Sequence, residues 1–301
     1  MTYEERLFEI ADGNPDLIVM TAENRAAIRN LPDKLGSRFI DVGISEQTLV
    51  GAAAGLALRG RVPVAHALAA FLTMRAFEFI RTDVGFARLP VKLVSALARF
   101  QSEANGPTHQ ALEDLALMRG IPGMTVFCPA DAAELVEALP IIVRDPGPWY
   151  VRYNARPPAF LHSVPFVAGA AEVITDGTDV ALLTYGCLTH ECYEAAERLA
   201  DVGVSVRLVN MRTLKPVDEL VILKAACETA LVVTIEDHFA VGGLATIVAE
   251  VAAAHRVALR LHSIALAGRW FVPALFPDVL ECEGFSAQQL AQRISAALAA
   301  Q

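Results

Sequence analysis

The sequence predicts an α/β protein of two domains, each a mainly parallel sheet flanked by helices. Three observations predict it. Short apolar runs alternate with amphipathic stretches along the chain. A Pro-rich break at Asn154–Pro165 (NARPPAFLHSVP) interrupts that rhythm, which then restarts. A length of 301 residues suits two domains with real cores.

Each element follows from local pattern. Tyr3–Ala11 reads as a helix stopped by Asp12-Gly13-Asn14-Pro15, and Asp16–Ala22 (DLIVMTA) as a buried strand. Arg38–Ile44 is a second strand, with Ser45 placed to cap a helix running to Arg59. Val62–Leu68 is a strand, Ala70–Ala87 an amphipathic helix, Val91–Leu97 a strand, and Arg99–His109 an irregular polar stretch. Helix Gln110–Met118, strand Thr125–Cys128, helix Ala132–Val143 and strand Trp149–Tyr153 complete the first half. Beyond the break come strand Asp179–Tyr185, helix Thr189–Val202, strand Ser205–Asn210 and helix Val217–Cys227. Strand Ala230–Ile235, helix Gly243–Ala254, strand Ala258–Ile264 and helix Ser286–Ala299 finish the chain. Strands separated by helices imply right-handed crossovers and largely parallel sheets.

Composition narrows the function. With 54% hydrophobic residues the chain is not disordered. Lys+Arg 25 against Asp+Glu 34 leaves a net charge of −9, which disfavours a nucleic-acid partner. The high apolar share suits either Ala/Val/Leu-rich cores or surface buried against another subunit. Five scattered cysteines, with no CxxC pair, suit reduced thiols in the cytoplasm. The N-terminus is acidic and does not read as a signal peptide. The most apolar run, Val50–Leu58, is far shorter than the ~20 residues of a membrane span, so no membrane is expected.

Candidate chemistry gathers at strand ends. Glu46 lies at a strand-to-helix junction, before a helix carrying Gly51, Ala52, Ala53, Ala54 and Gly55, small enough for close packing by another backbone. Its carboxylate could simply favour the helix dipole. Alternatively it points into a dry crevice, where burial keeps it protonated as a hydrogen-bond donor. Gly106-Pro107-Thr108-His109-Gln110 follows a strand, where open α/β sheets bind ligands. Arg152, at another strand end, suits either an anion or a surface salt bridge. Phe71, Phe77 and Phe79 are core by default. Gly242-Gly243 precedes a helix, but neither GxGxxG nor GxxxxGK[ST] occurs, and no residues cluster as a metal site.

Four segments carry a resemblance. FIDVGISEQTLVGAAAGLALRG, AAFLTMRAFEFIR, NGPTHQALEDLALMRGIPGMTVFCPAD and TIEDHFAVGGLATIVAEV resemble transketolase, specifically its C-terminal half as a separate polypeptide. The resemblance implies a pyrimidine-binding domain of the thiamine diphosphate-binding fold over residues 1–155. A linker over 156–170 and a transketolase C-terminal domain over 171–301 would follow. It implies thiamine diphosphate as cofactor and ketol transfer from a ketose to an aldehyde.

Glu46 matches the family's catalytic glutamate, which bonds pyrimidine N1′ and promotes the tautomer that deprotonates thiazolium C2. Phe71 matches the aromatic stacked on the pyrimidine. His109 matches the histidine facing cofactor and substrate, and Arg152 the arginine holding the substrate's far phosphate. The GDG motif and downstream Asn that hold the diphosphate and Mg2+ in the family are missing. A partner subunit is therefore expected to supply them, in an α2β2 assembly. Several positions depart from the family pattern. Leu97 replaces a histidine, Asn105 an acid near the substrate hydroxyls, Ala27 a serine, Leu68 an aromatic near the cofactor ring, and Thr21 an aspartate. Such losses imply a substrate other than the ordinary pentose phosphate. Alternatives are the β subunit of a 2-oxo-acid dehydrogenase, deoxyxylulose-phosphate synthase, or a silent regulatory or scaffold subunit.

Overall fold

A computed structural model describes residues 1–300. The first sheet is built from β1 (Leu17–Thr21), β2 (Phe39–Asp41), β3 (Val62–Leu68), β4 (Lys92–Ala96), β5 (Thr125–Phe127), β6 (Trp149–Arg152) and β10 (Thr213–Lys215). The strand order is β10-β5-β6-β4-β3-β1-β2, and all pairs are parallel except the antiparallel edge pair β10–β5. The second sheet holds β7 (Glu172–Thr175), β8 (Val180–Thr184), β9 (Val206–Asn210), β11 (Leu231–Phe239) and β12 (Leu261–Leu266). Its order is β12-β11-β8-β9-β7, parallel but for β7. Every residue of β1, β6, β8 and β9 is buried, as expected of strands covered on both faces.

The helices are α1 (Tyr3–Gly13), α2 (Leu31–Leu35), α3 (Glu46–Leu58), α4 (Phe77–Phe79), α5 (Asp114–Arg119) and α6 (Ala132–Arg144). Beyond the linker follow α7 (Leu188–Asp201), α8 (Glu219–Glu228), α9 (Leu244–His255), α10 (Phe276–Glu283) and α11 (Ala287–Ala299). No helix among the described residues is long and apolar enough to cross a membrane. All five cysteines are free.

Several expectations need correction. The stretch Ala70–Ala87 is not one amphipathic helix: α4 is a single turn flanked by wider π turns at Phe71–Arg75 and Ile80–Phe86. Ala76 N–H reaches back five residues to Phe71 O, a geometry that hydrophobic spacing does not report. The helix expected from Gln110 starts only at Asp114, because the Ala111 and Leu112 amides close tight turns onto His109 and Gln110. Helices α2 and α10 and the short strands β7 and β10 were not foreseen.

Strand β10 matters most, since it lies beyond the linker yet completes the first sheet. One apolar core accordingly runs through both halves, joining Met20, Leu49 and Leu93 to Leu183, Val209 and Val232.

Candidate active site

Parallel strands deliver their following loops to one edge, and the candidate residues collect there. Gly43, at φ +73°, turns the chain out of β2, and Asp41 Oδ1 accepts from its amide at 2.9 Å. Ser45 does not cap α3 through its side chain; its Oγ donates to Val42 O at 3.0 Å. Glu46 then enters the first turn of α3 with only 2% of its surface exposed.

The buried carboxylate is not alone. Arg75 Nη1 donates to Glu46 Oε2 at 2.8 Å, a partner that neither reading of this carboxyl included. The same guanidinium lies 4.3 Å from the Phe71 ring centre. Phe71 meets His109 edge to face, with centroids 5.0 Å apart. His109 Nδ1 in turn lies 2.9 Å from Thr108 Oγ1. Glu46, Arg75, Phe71 and His109 thus form one continuous line of contacts.

The other expected residues fall at different depths. Leu68 ends β3, half-buried, in register with Ala96 of β4. Asn105 is exposed, and its Nδ2 donates to Ser102 O at 2.7 Å. Arg152 is buried. Its Nε and Nη2 donate to Asp114 at 2.9 and 2.8 Å, and Nη1 lies 3.5 Å from Asp237.

Residues 1–156 match the family "Transketolase, pyrimidine binding domain", and residues 169–290 match "Transketolase, C-terminal domain". The chain belongs to the transketolase family. It is 37% identical over 253 residues to the 6-deoxy-6-sulfo-D-fructose transketolase subunit of Clostridium sp. (strain MSTE9), covering 83% of this chain and 79% of that one. It is 32% identical over 268 residues to an apulose-4-phosphate transketolase subunit of Phocaeicola vulgatus, covering 87% and 86%. A solved split-gene transketolase, described as an inactive beta4 tetramer, superimposes with a TM-score of 0.88 at 33% identity over 99% and 97% of the two chains.

In this transketolase chain the two halves meet at a buried ionic network that the sequence reading missed. Arg99 is fully buried at φ +55°. It bonds Asp114 through Nε (3.0 Å) and Nη2 (2.9 Å), Asp237 through Nη1 (2.8 Å), and the Tyr185 hydroxyl. Asp114 also accepts from Tyr150 Oη at 2.6 Å. Arg152 is part of this network, and no spacing in the sequence joins positions 99, 114, 152 and 237.

The Gly242-Gly243 turn proves self-occupied. Glu236 Oε2 accepts the Leu244 amide at 2.7 Å and Oε1 the Ala245 amide at 3.0 Å, so the N-terminus of α9 already holds a carboxylate. Burial pushes the Glu236 carboxyl up, against the pull of those amides. His238 is buried, and burial pushes its imidazole well below the ordinary range.

Glu134, His162 and Glu172 converge closely enough to hold a cation. Arg212 already fills that role, with Nε 2.7 Å from Glu134 and Nη2 2.9 Å from Glu172. His162, in the linker, bridges Asp131 (3.0 Å) and Glu172 (2.7 Å). Burial lowers its imidazole, but those two carboxylates outweigh burial and raise it to about 10. The trio is a charge clamp between the halves. Of the residues missed, only Arg75 left a trace, four positions after Phe71 in a stretch read as helical.

Proposed function

We propose that this chain is the pyrimidine-binding and C-terminal subunit of a split, thiamine diphosphate-dependent transketolase, moving a two-carbon ketol unit from a ketose to an aldehyde. The buried Glu46 carboxylate carries the reading, because it begins α3 beside an aromatic face in a chain matching both domains.

The residues present fit half of the cofactor. Glu46 offers a buried carboxyl to a ring nitrogen, and Phe71 a face to an aromatic ring. Bound thiamine diphosphate would supply the electron sink for breaking a carbon–carbon bond beside a ketone. Glu46 would hold the proton shared with pyrimidine N1′, its burial excluding water. Phe71 would orient the ring, Leu68 would pack against the cofactor, and His109 would move a proton at the substrate oxygen. Asn105 and Arg152 would complete the substrate channel, Arg152 only after releasing Asp114.

In the free chain Arg75 engages both Glu46 and Phe71, so the cofactor has to take both groups from it. The diphosphate and its Mg2+ need groups this chain does not carry, since it has no GDG motif. A partner with the diphosphate-binding domain, in an α2β2 assembly, supplies them in this reading. The exposed apolar residues Ile44, Leu58 and Phe86 around α3 suit coverage by another chain. Free thiols suit the cytoplasm. The substrate names of the relatives, 6-deoxy-6-sulfo-D-fructose and apulose-4-phosphate, support an uncommon substrate here.

Replacing Glu46 with Gln in the reconstituted pair tests the reading. Thiamine-dependent turnover should fall at least about 100-fold, the scale of a lost proton-transfer group, while assembly persists. Unchanged turnover would favour the silent-subunit reading.

A further inference from the structure

A cavity of about 390 Å³ opens at the same strand-end edge of the first sheet, walled by segments that follow β1, β4 and β6. Ala96, Leu97 and Tyr153 line it beside Asn24 and Gln101, and Phe276 of α10 reaches in from the second half. The volume is that of a small-ligand site. It lies near the Phe71–His109 pair: Phe71 packs against a small alanine cluster that includes Ala98, the residue after Leu97.

The chemistry of the walls decides what fits. An anionic tail needs cationic donors to spare, and bidentate guanidinium is the usual solution. Two arginines border the region, and both are engaged. Arg152 is held by Asp114 and Asp237 and is not part of the wall. Arg156 does line it, but Nη1 donates to Cys187 O at 2.7 Å and Nη2 to Glu191 at 3.0 Å, with the guanidinium carbon 4.9 Å from the centre of the Phe276 ring. Glu103 adds a carboxylate to the wall, which repels an anion. Leu97, at φ +53° and 39% exposed, presents hydrocarbon instead of a hydrogen-bonding group. The wall is apolar around Leu97 and Phe276 and polar at Asn24 and Gln101.

We propose that the cavity takes the hydrocarbon tail of an uncharged aldehyde acceptor, and not a phosphate- or sulfonate-bearing sugar. This rests on the ketol-transfer reading given above. In the transfer, the donor bond next to the ketone breaks with its electron pair retained by the two-carbon fragment. That pair forms the new carbon–carbon bond to the aldehyde carbon, and the aldehyde oxygen takes a proton. With hydroxypyruvate as donor, the fragment lost is carbon dioxide.

The experiment uses the chain reconstituted with its diphosphate-domain partner, hydroxypyruvate as donor, and the aldehydes propanal, butanal, pentanal and hexanal beside glyceraldehyde 3-phosphate. Each added methylene should raise kcat/KM about 4-fold, the factor for ~0.8 kcal/mol of burial per CH2. Hexanal should surpass the phosphorylated aldehyde. Leu97→Arg should lower the hexanal-to-propanal ratio at least tenfold. A flat series, or preference for glyceraldehyde 3-phosphate, with donor consumed normally, overturns the proposal and leaves ketol transfer standing. Failure to consume donor with any acceptor removes the ketol-transfer reading, and this proposal with it.

Discussion

Removing the Arg75 guanidinium should affect the free subunit and the cofactor complex in opposite directions. Glu46 is 2% exposed and Arg75 41%, so their pair lies between the buried and surface extremes. Breaking a buried pair costs about 3–5 kcal/mol, and a surface pair about 0–1 kcal/mol. The half-open geometry places Arg75→Met at about 1–2 kcal/mol of lost stability in the free chain. That cost exists only while Glu46 lacks another partner. In the proposed complex thiamine diphosphate would supply one, so the same energy should reappear as tighter binding, about 5- to 30-fold in Kd. Urea unfolding of the free chain and calorimetric titration of the reconstituted pair measure the two halves independently. Weaker cofactor binding by Arg75→Met would refute the argument, because Arg75 would then be holding the cofactor and not its place.

Other perturbations test the fold beneath the site. Arg99→Met leaves Asp114 and Asp237 buried with Arg152 alone, and should cost about 3–5 kcal/mol in urea unfolding. A loss under about 1 kcal/mol would mean the network is not a structural tie. Gly243→Ala puts a Cβ 2.1 Å from Glu236 Oε2, so it should destabilise by at least about 1–3 kcal/mol and loosen α9, read by amide hydrogen exchange. Burial lowers His66 from 6.5 to about 4. Between those values the unfolded chain binds a proton that the folded chain refuses, so stability should fall as pH drops from 6.5 towards 4. The His66 contribution approaches about 3 kcal/mol, and His66→Gln should flatten that slope.

Much of the fold was legible because parallel strands covered on both sides read as unbroken apolar runs. DLIVMTA, VPVAHAL and VALLT stand out whatever they pack against. Edge elements do not share that signature. Strands β7 and β10 are three or four residues long and half-exposed in part, and each forms by antiparallel addition to a sheet already present. Nothing in Thr213-Leu214-Lys215 signals that it pairs with Phe127 and Val126 across the linker. The π turns around α4 were hidden because widening a turn by one residue rotates every later side chain, which apolar spacing cannot resolve.

The site was legible where one residue acts through its own position, and hidden where it acts through pairing. Glu46, Phe71 and His109 follow strands whose ends converge, so chain order alone brings them together. Arg152 also ends a strand, yet its role in this structure depends on Asp114 and Asp237, which reach it only through tertiary packing. Leu97 and Arg99 lie two residues apart, both at positive φ. A buried cation at position 99 needs acids within reach, Asp114 answers it, and Asp114 then also holds Arg152. The guanidinium that the resemblance assigns to a substrate phosphate is held by Asp114 in this structure. A single test separates a held guanidinium from a free one: Asp114→Asn removes the carboxylate that both Arg99 and Arg152 engage. Sulfate or phosphate should then stabilise the variant against unfolding more than it stabilises the parent chain. Equal stabilisation of both would mean that Asp114 is not what keeps Arg152 from an anion.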